Sequence, residues 1–291
     1  MELAKGINKV KIFTEMIKIE HTVFALPFAY IGALLPQAGN PGWGKIFWIT
    51  LAMVGARTAA MSLNRVIDRQ IDAQNPRTVG RALPQGLLSV AEVWGYVFAS
   101  LLLLYVAAAQ LNPLCVKLMP IAVFFLVLYP YMKRFSWLCH LVLGIALGLA
   151  PLGSWVAVTG SVDLPPVLLA LGVTFWVAGF DVVYACQDFD FDRQAGLHSI
   201  PARFGLKLGL RIAVVHHVAA VAFLAAAGLM LNIGLFYSLG VLIAATILIY
   251  EHSLVKPHDL SKVDAAFFSM NGILSIMMFV FTLLAIIFPL R

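Results

Sequence analysis

Asn64, Asp68 and Asp72 follow one another at four-residue steps in the stretch NRVIDRQIDAQNPRT, and Asp181, Tyr184, Asp188 and Asp192 lie in DVVYACQDFDFDRQAGLHS. The steps from Met61 through Asn64 and Asp68 to Asp72 are three, four and four residues, and those from Asp181 to Asp192 are the same. On a helix this spacing puts each set on one face, one turn apart. Like charges so placed destabilise a helix by roughly 0.2–0.5 kcal/mol, and an acid near lipid costs more. A divalent cation compensates: paired carboxylates hold Mg2+ through one or two oxygens each and leave its other positions to water and phosphate. A single DxxxD at a helix end reads as solvated loop charge, whereas two with identical spacing read as a site.

Both sets are followed by basic and small residues, NPRTVGRALPQG and RQAGLHSIPARFG. Four carboxylates, two Mg2+ and a diphosphate leave a remainder of roughly −3, which calls for Arg or Lys. Arg77, Arg81, Lys133, Arg134 and Arg193 are the candidates. An oily site that holds a diphosphate suits an isoprenoid whose tail lies in lipid. The allylic cation left when diphosphate departs needs aromatic faces, for which Tyr184, Tyr129 and Trp176 are candidates. Each of these is equally an ordinary packing or interfacial aromatic.

The elements that must position these residues are membrane helices. The chain of 291 residues is 62% hydrophobic and 12% charged, with a mean hydropathy of +0.92, far above a water-soluble fold. Apolar runs of about 20 residues recur, and the dyad alternation of membrane barrels is absent. The expected fold is all-α: one polytopic membrane domain over 1–291, with nine transmembrane helices around a central cavity open to the cytoplasm. The spans are placed at 22–39, 44–64, 92–110, 113–131, 138–158, 165–186, 210–231, 233–250 and 266–288.

With this layout sixteen of the 20 Lys and Arg fall on one side, Lys45, Lys117 and Arg291 on the other, and Arg57 within a span. The positive-inside rule then puts the N-terminus in the cytoplasm and the C-terminus outside. The net charge of +6 therefore reports orientation, and neither nucleic acid nor an obligate protein partner is expected. Of the 14 acids only Asp163 sits outside, so charge chemistry belongs to the inner face. Residues 1–20 read as a cytoplasmic amphipathic segment with Ile7, Val10, Met16 and Ile17 towards lipid, and no secretory signal is read there. Cys115, Cys139 and Cys186 show no CxxC pairing and read as small hydrophobes, and His140 beside Cys139 is a poor metal site on its own.

NRVIDRQID and DVVYACQDFDFD resemble the two Asp-rich motifs of the UbiA superfamily of intramembrane prenyltransferases. IKIEHTVFALPFAYIGAL resembles the family's opening, RTVGRALPQG the tail of its first motif and YMKRF its basic loop, so the resemblance covers nearly the whole chain. It implies Mg2+ and diphosphate binding by Asn64, Asp68 and Asp72 on one side and Asp188 and Asp192 on the other, with Asp181 and Tyr184 in the extended second motif. It implies diphosphate contacts for Arg77, Arg81, Lys133 and Arg134. Two departures stand out: Arg65 follows Asn64 where many members carry Asp, and His198 occupies a place where Lys is common. Arg65 either lowers the metal charge held there or touches phosphate itself.

The pattern is most similar to bacterial 4-hydroxybenzoate polyprenyltransferases, which implies a bacterial inner membrane. The implied substrates are a polyprenyl diphosphate and a small aromatic acceptor, joined at the carbon ortho to the phenol in quinone synthesis. Arg57, two turns before Asn64 on the same face, either pairs with the acceptor carboxylate or is a structural partner for an acid such as Asp181. Asp181 orients the phenol or takes the ring proton. Naphthoate, haem, chlorophyllide and lipid acceptors remain alternatives. So does a cation-coupled transporter, which predicts acids near mid-membrane on discontinuous helices, and so does a non-catalytic scaffold.

Overall fold

The computed structural model describes residues 9, 11–18, 22–37 and 39–290. The regular elements among them are helices, apart from a single bridge between Lys256 and Asp259. In chain order they are α1 (Thr22–Leu34), α2 (Trp43–Ile67), α3 (Arg69–Gln74), α4 (Val90–Leu111), α5 (Pro113–Met132) and α6 (Cys139–Thr159), then α7 (Leu164–Ala185), α8 (Phe189–Gln194), α9 (Ile200–Phe204), α10 (Leu206–Met230), α11 (Leu235–Leu254) and α12 (Asn271–Ile287). A wide turn, Ala265–Met270, leads into α12.

Eight of these stretches are long and apolar enough to cross a membrane. The ninth expected span, 22–39, is shorter: α1 has 13 residues with Pro27 inside it and gives way to the tight turn Leu35–Gln37. The remaining spans agree with expectation to within a few residues at most ends. With the wide turn counted into the last span, the largest shifts are four residues, at the start of α10 (Leu206 for 210) and the end of α11 (Leu254 for 250), and α2 runs three residues past 64 to Ile67, which carries Asn64 within the helix.

The two acidic sets share one backbone design. α2 ends at Ile67, Asp68 follows at φ −89°, ψ 3°, and the six-residue α3 begins. α7 ends at Ala185, a tight turn follows, Asp188 stands at φ −96°, ψ 8°, and the six-residue α8 begins. The first set keeps helical register through its break, because Asp68 N–H donates to Asn64 O and Asp72 N–H to Asp68 O. After its polar loop each motif helix finds its main partner, α4 for α2 and α10 for α7.

Small residues allow the approach of backbones that membrane helices require. A Cβ on Gly55 of α2 would lie 2.8 Å from Ser100 O of α4, and one on Gly144 of α6 would lie 2.2 Å from Thr174 O of α7. The apolar core gathers Phe28 and Ile31 of α1, Trp176 and Phe180 of α7, Leu224 of α10 and Leu274 and Met278 of α12.

Met16 and Ile17, expected to face lipid, are buried against Val66, Ala82, Leu88 and Val93; Ile7 and Val10 lie outside the described residues. Polar ties hold the segment there: Lys9 pairs with Glu92, and Glu92 closes a capping box with Ser89 at the start of α4.

Candidate active site

Every acid of the two sets except Asp192 meets a basic group. α2 presents Asn64, whose Nδ2 donates to Asp68 Oδ2 at 2.9 Å and so orients that carboxylate. Arg134 Nη1 lies 2.9 Å from Asp68 Oδ1 and Lys133 Nζ 4.0 Å from Oδ2. Arg134 is itself placed by the helix it serves: Nη2 donates to Ile67 O, one of the carbonyls that end α2, and Nη1 to Pro130 O. Burial pushes the Asp68 carboxyl above the ordinary aspartate range, Lys133 and Arg134 pull it back, and Asp72 adds to the rise. Arg81 Nη1 donates to Asp72 Oδ1 at 2.7 Å.

Across the cavity mouth, Arg77 Nε and Nη2 donate to the two oxygens of Asp188 at 2.9 and 2.5 Å, and its Nη1 donates to Tyr184 Oη at 2.8 Å. Burial works against the charge on Arg77, but the bonds to Asp188 and Tyr184 hold its pKa above the usual guanidinium value. Asp188 also accepts from Asn75 Nδ2, and Asn75 Oδ1 accepts Arg77 N–H. This Asx turn in Asn-Pro-Arg aims the arginine. Sequence reasoning passed over Asn75, although an Asn two residues before a candidate arginine is a legible sign. Asp192 is buried on α8, and the loop after it is docked by His198 N–H, which donates to Lys133 O.

The buried oxygens Asp68 Oδ1 and Asp72 Oδ2 have no aligned hydrogen bond, which is the chemistry a hard cation satisfies. Among the described residues no three His, Cys, Asp or Glu side chains converge on one point, so the two sets stand apart with guanidinium groups between them. Mg2+ sites of this kind use one or two carboxylates plus substrate phosphate, and the residues fit that ion.

Below the mouth lies a cavity of about 520 Å3. Arg57, Asn64, Arg65, Arg81, Asp181 and Tyr184 line its polar end, and Leu111, Cys115, Leu118 and Met119 its apolar end. Tyr129 lines it as expected, together with Phe24, Phe180 and Phe267. Trp176 does not fill the cavity-wall role: it is 1% exposed in the core, its Nε1 donates to Asn271 Oδ1, and it packs on Phe28. On a helix apolar all round, sequence alone does not say which aromatic faces the hollow.

Arg57 is on the expected face, and its Nη2 donates to Lys18 O at 3.0 Å. Asp181 takes as its partner the buried His140, Nδ1 to Oδ2 at 2.7 Å, a residue the sequence reading set aside. Arg65 is 6% exposed, donates to Asn64 Oδ1 and reaches Met16 O. Arg193 is exposed, lies over the Phe189 ring, and lines a separate depression with His198 and Arg203. Its place on the outer face of the short α8 turns it away from the mouth that Arg77 and Arg81 occupy.

Comparison with known proteins agrees with this architecture. The pattern of the UbiA prenyltransferase family matches residues 25–285. A 4-hydroxybenzoate octaprenyltransferase from Vibrio campbellii is 29% identical over 216 residues, 72% of this chain and 75% of the relative. One from Albidiferax ferrireducens is 34% identical over 178 residues, 60% of each. The apo structure of a UbiA homolog from Aeropyrum pernix K1 superposes with a TM-score of 0.80 at 34% identity, over 93% of this chain and 98% of that one. A UbiA homolog from Archaeoglobus fulgidus bound to DMAPP and Mg2+ shares the fold, with a TM-score of 0.73 at 21% identity over 95% of this chain and 99% of that one.

Proposed function

Because the chain belongs to the UbiA prenyltransferase family and is an integral-membrane prenyltransferase, we propose that it transfers a polyprenyl group from polyprenyl diphosphate to 4-hydroxybenzoate at the cytoplasmic face of a bacterial inner membrane. The observation that carries this reading is the continuity of one cavity from Asn64, Arg81 and Asp181 to Leu111 and Cys115. A charged head and an oily tail fit such a cavity together.

Mg2+ would be held by Asp68, Asp72, Asp188 and Asp192, with Asn64 orienting Asp68, and supplies positive charge to the leaving diphosphate. The Mg2+ assignment draws on the donor set and on the ion bound by the Archaeoglobus fulgidus homolog. Arg77, Arg81, Lys133 and Arg134, now paired with the acids, turn to the diphosphate oxygens when the substrate arrives. The charge that grows there in the transition state meets donors already in place. Arg193, on its own depression, is assigned a supporting role outside this contact.

The allylic C–O bond breaks with its electrons on diphosphate. Tyr129, Tyr184, Phe180 and Phe267 give the cation π faces and exclude water. Arg57 pairs with the acceptor carboxylate, which sets the ring so that the carbon ortho to the phenol forms the new C–C bond. Asp181 takes the ring proton, and the C–H electrons restore aromaticity.

Purified protein given Mg2+, a radiolabelled polyprenyl diphosphate and a panel of aromatic acceptors tests the reading. Label should appear in prenylated 4-hydroxybenzoate, with the diphosphate-binding variants silent. Label in naphthoate, haem, chlorophyllide or a lipid acceptor, and none in 4-hydroxybenzoate, would overturn the acceptor assignment.

A further inference from the structure

We propose that His140 is a positioning residue for Asp181, locked as the neutral Nδ1–H imidazole by the backbone amide of Ile200. The inference rests on the role given to Asp181 above. His140 is the second residue of α6, is 2% exposed, and its two ring nitrogens meet two different partners. Nδ1 lies 2.7 Å from Asp181 Oδ2, and Nε2 lies 3.2 Å from Ile200 N.

The second contact assigns the first. A backbone amide can only donate, so Nε2 presents its lone pair to Ile200 N–H and the ring hydrogen sits on Nδ1. His140 therefore donates to Asp181. The Ile200 amide is one of the first N–H groups of α9, which have no partner inside their own helix. Ser199 caps α9 but accepts from Ala202, so the imidazole supplies the acceptor that Ile200 lacks. Cys139 Sγ donates to His198 O at 3.4 Å, so residues 139 and 140 together pin the segment 198–200. That segment follows Asp192, and the bridge thereby joins the acceptor side of the cavity to the second acidic set.

The consequence concerns protons. With Oδ2 bonded to His140, Oδ1 is the oxygen left for the cavity, which Asp181 lines together with Arg57 and Tyr129. When the ring C–H bond breaks, its electrons return to the ring and its proton binds Oδ1. His140 cannot take that proton on, because Nδ1 already carries one and Nε2 is engaged by an amide. The proton leaves Asp181 directly for cavity water or the departed diphosphate. His140 is thus an orienting group and not a relay.

His140→Phe keeps a ring but loses both bonds, whereas His140→Asn keeps an N–H donor where Nδ1 stands. Misplacement of a reacting group by about 1 Å costs up to about 10²-fold. We expect that loss in kcat for His140→Phe, with the KM for polyprenyl diphosphate within about twofold, and recovery of most of the activity in His140→Asn. In an Asp181→Asn background His140→Phe should cost little more, since the two residues act as one unit. Equal losses in the Phe and Asn variants, or a loss falling on diphosphate KM, would overturn the proposal. A second measurement does not depend on which acceptor is correct. In protein labelled with 15N-histidine, and with the signal assigned by its absence in His140→Asn, the long-range 15N–1H pattern should show Nδ1–H. An Nε2–H or doubly protonated ring sinks the tautomer, and absence of any prenylated aromatic product from the wild-type chain sinks the acceptor reading instead.

Discussion

Arg77 grips both oxygens of Asp188 at 2.9 and 2.5 Å across 111 residues of sequence, so the loop after the first acidic set is tied to the second set. Its guanidinium also lies over the Tyr184 ring, 4.9 Å from the centroid. An arginine thus provides positive charge at the carboxylate that would also face Mg2+. Arg77→Ala should lower the melting temperature measured in detergent without divalent ions, and Mg2+ should restore it. In Asp188→Ala no such rescue is expected; equal rescue in both would refute the exchange of partners.

Loss of either acidic set should stop turnover. Asp68→Ala and Asp188→Ala are each expected to reduce product formation by at least about 10²-fold, the scale on which single charge-stabilising groups matter. Radiolabel transfer measures it. Full activity in both would remove the two acidic sets from the reaction.

Arg57 is assigned to the acceptor and not to the diphosphate. A hydrogen bond to a charged group contributes about 1.5–3 kcal/mol, so Arg57→Ala should raise the KM for 4-hydroxybenzoate by roughly 10–150-fold and barely change that for polyprenyl diphosphate. The reverse pattern in initial-rate kinetics would remove Arg57 from this role.

Mg2+ and protons compete for Asp68. Its folded pKa is raised by burial, so the folded protein holds this proton more tightly than the unfolded chain. The cost of the buried charge is absent below the unfolded pKa and sets in as pH rises through the folded one. The increase in melting temperature caused by Mg2+ should therefore grow from pH 4 towards pH 7, and EDTA should abolish both this increase and activity. A stabilisation independent of pH would count against Asp68 as a ligand.

The apolar end of the cavity should set tail length. Ala122 lines it on α5 beside Leu118 and Met119, and Ala122→Trp fills space the tail would use. Competition between donors of different length should shift towards shorter ones. An unchanged preference would place the tail elsewhere.

Hydropathy made most of the fold legible, because a run long enough to span lipid has few other uses. α1 was read too long: Pro27 and the turn at Leu35 lie in an apolar stretch that gives no change of polarity. The acidic sets were legible because their spacing repeats. His140 was not, since its partners stand 41 and 60 residues away and a lone histidine beside a cysteine carries no local pattern. Trp176 and Arg193 show the opposite error. Residue type suggested a role that the facing of α7 and α8 does not support. Arg65, the departure from the family's commonest first motif, turns out to bind its neighbour Asn64 and the Met16 carbonyl, the second a contact that only the folded N-terminal segment creates.

The matched breaks at Asp68 and Asp188 also carry a rule of parity. From α2 the chain crosses by α4, α5 and α6 before it crosses again by α7, so the two motif helices are an even number of crossings apart and point the same way. That offset delivers both acidic sets to one side of the bilayer. Gain or loss of any single crossing between them would leave every residue of both motifs intact and strand half of the site on the opposite surface. Insertions in this stretch of the gene should therefore be tolerated only as loops or as pairs of spans.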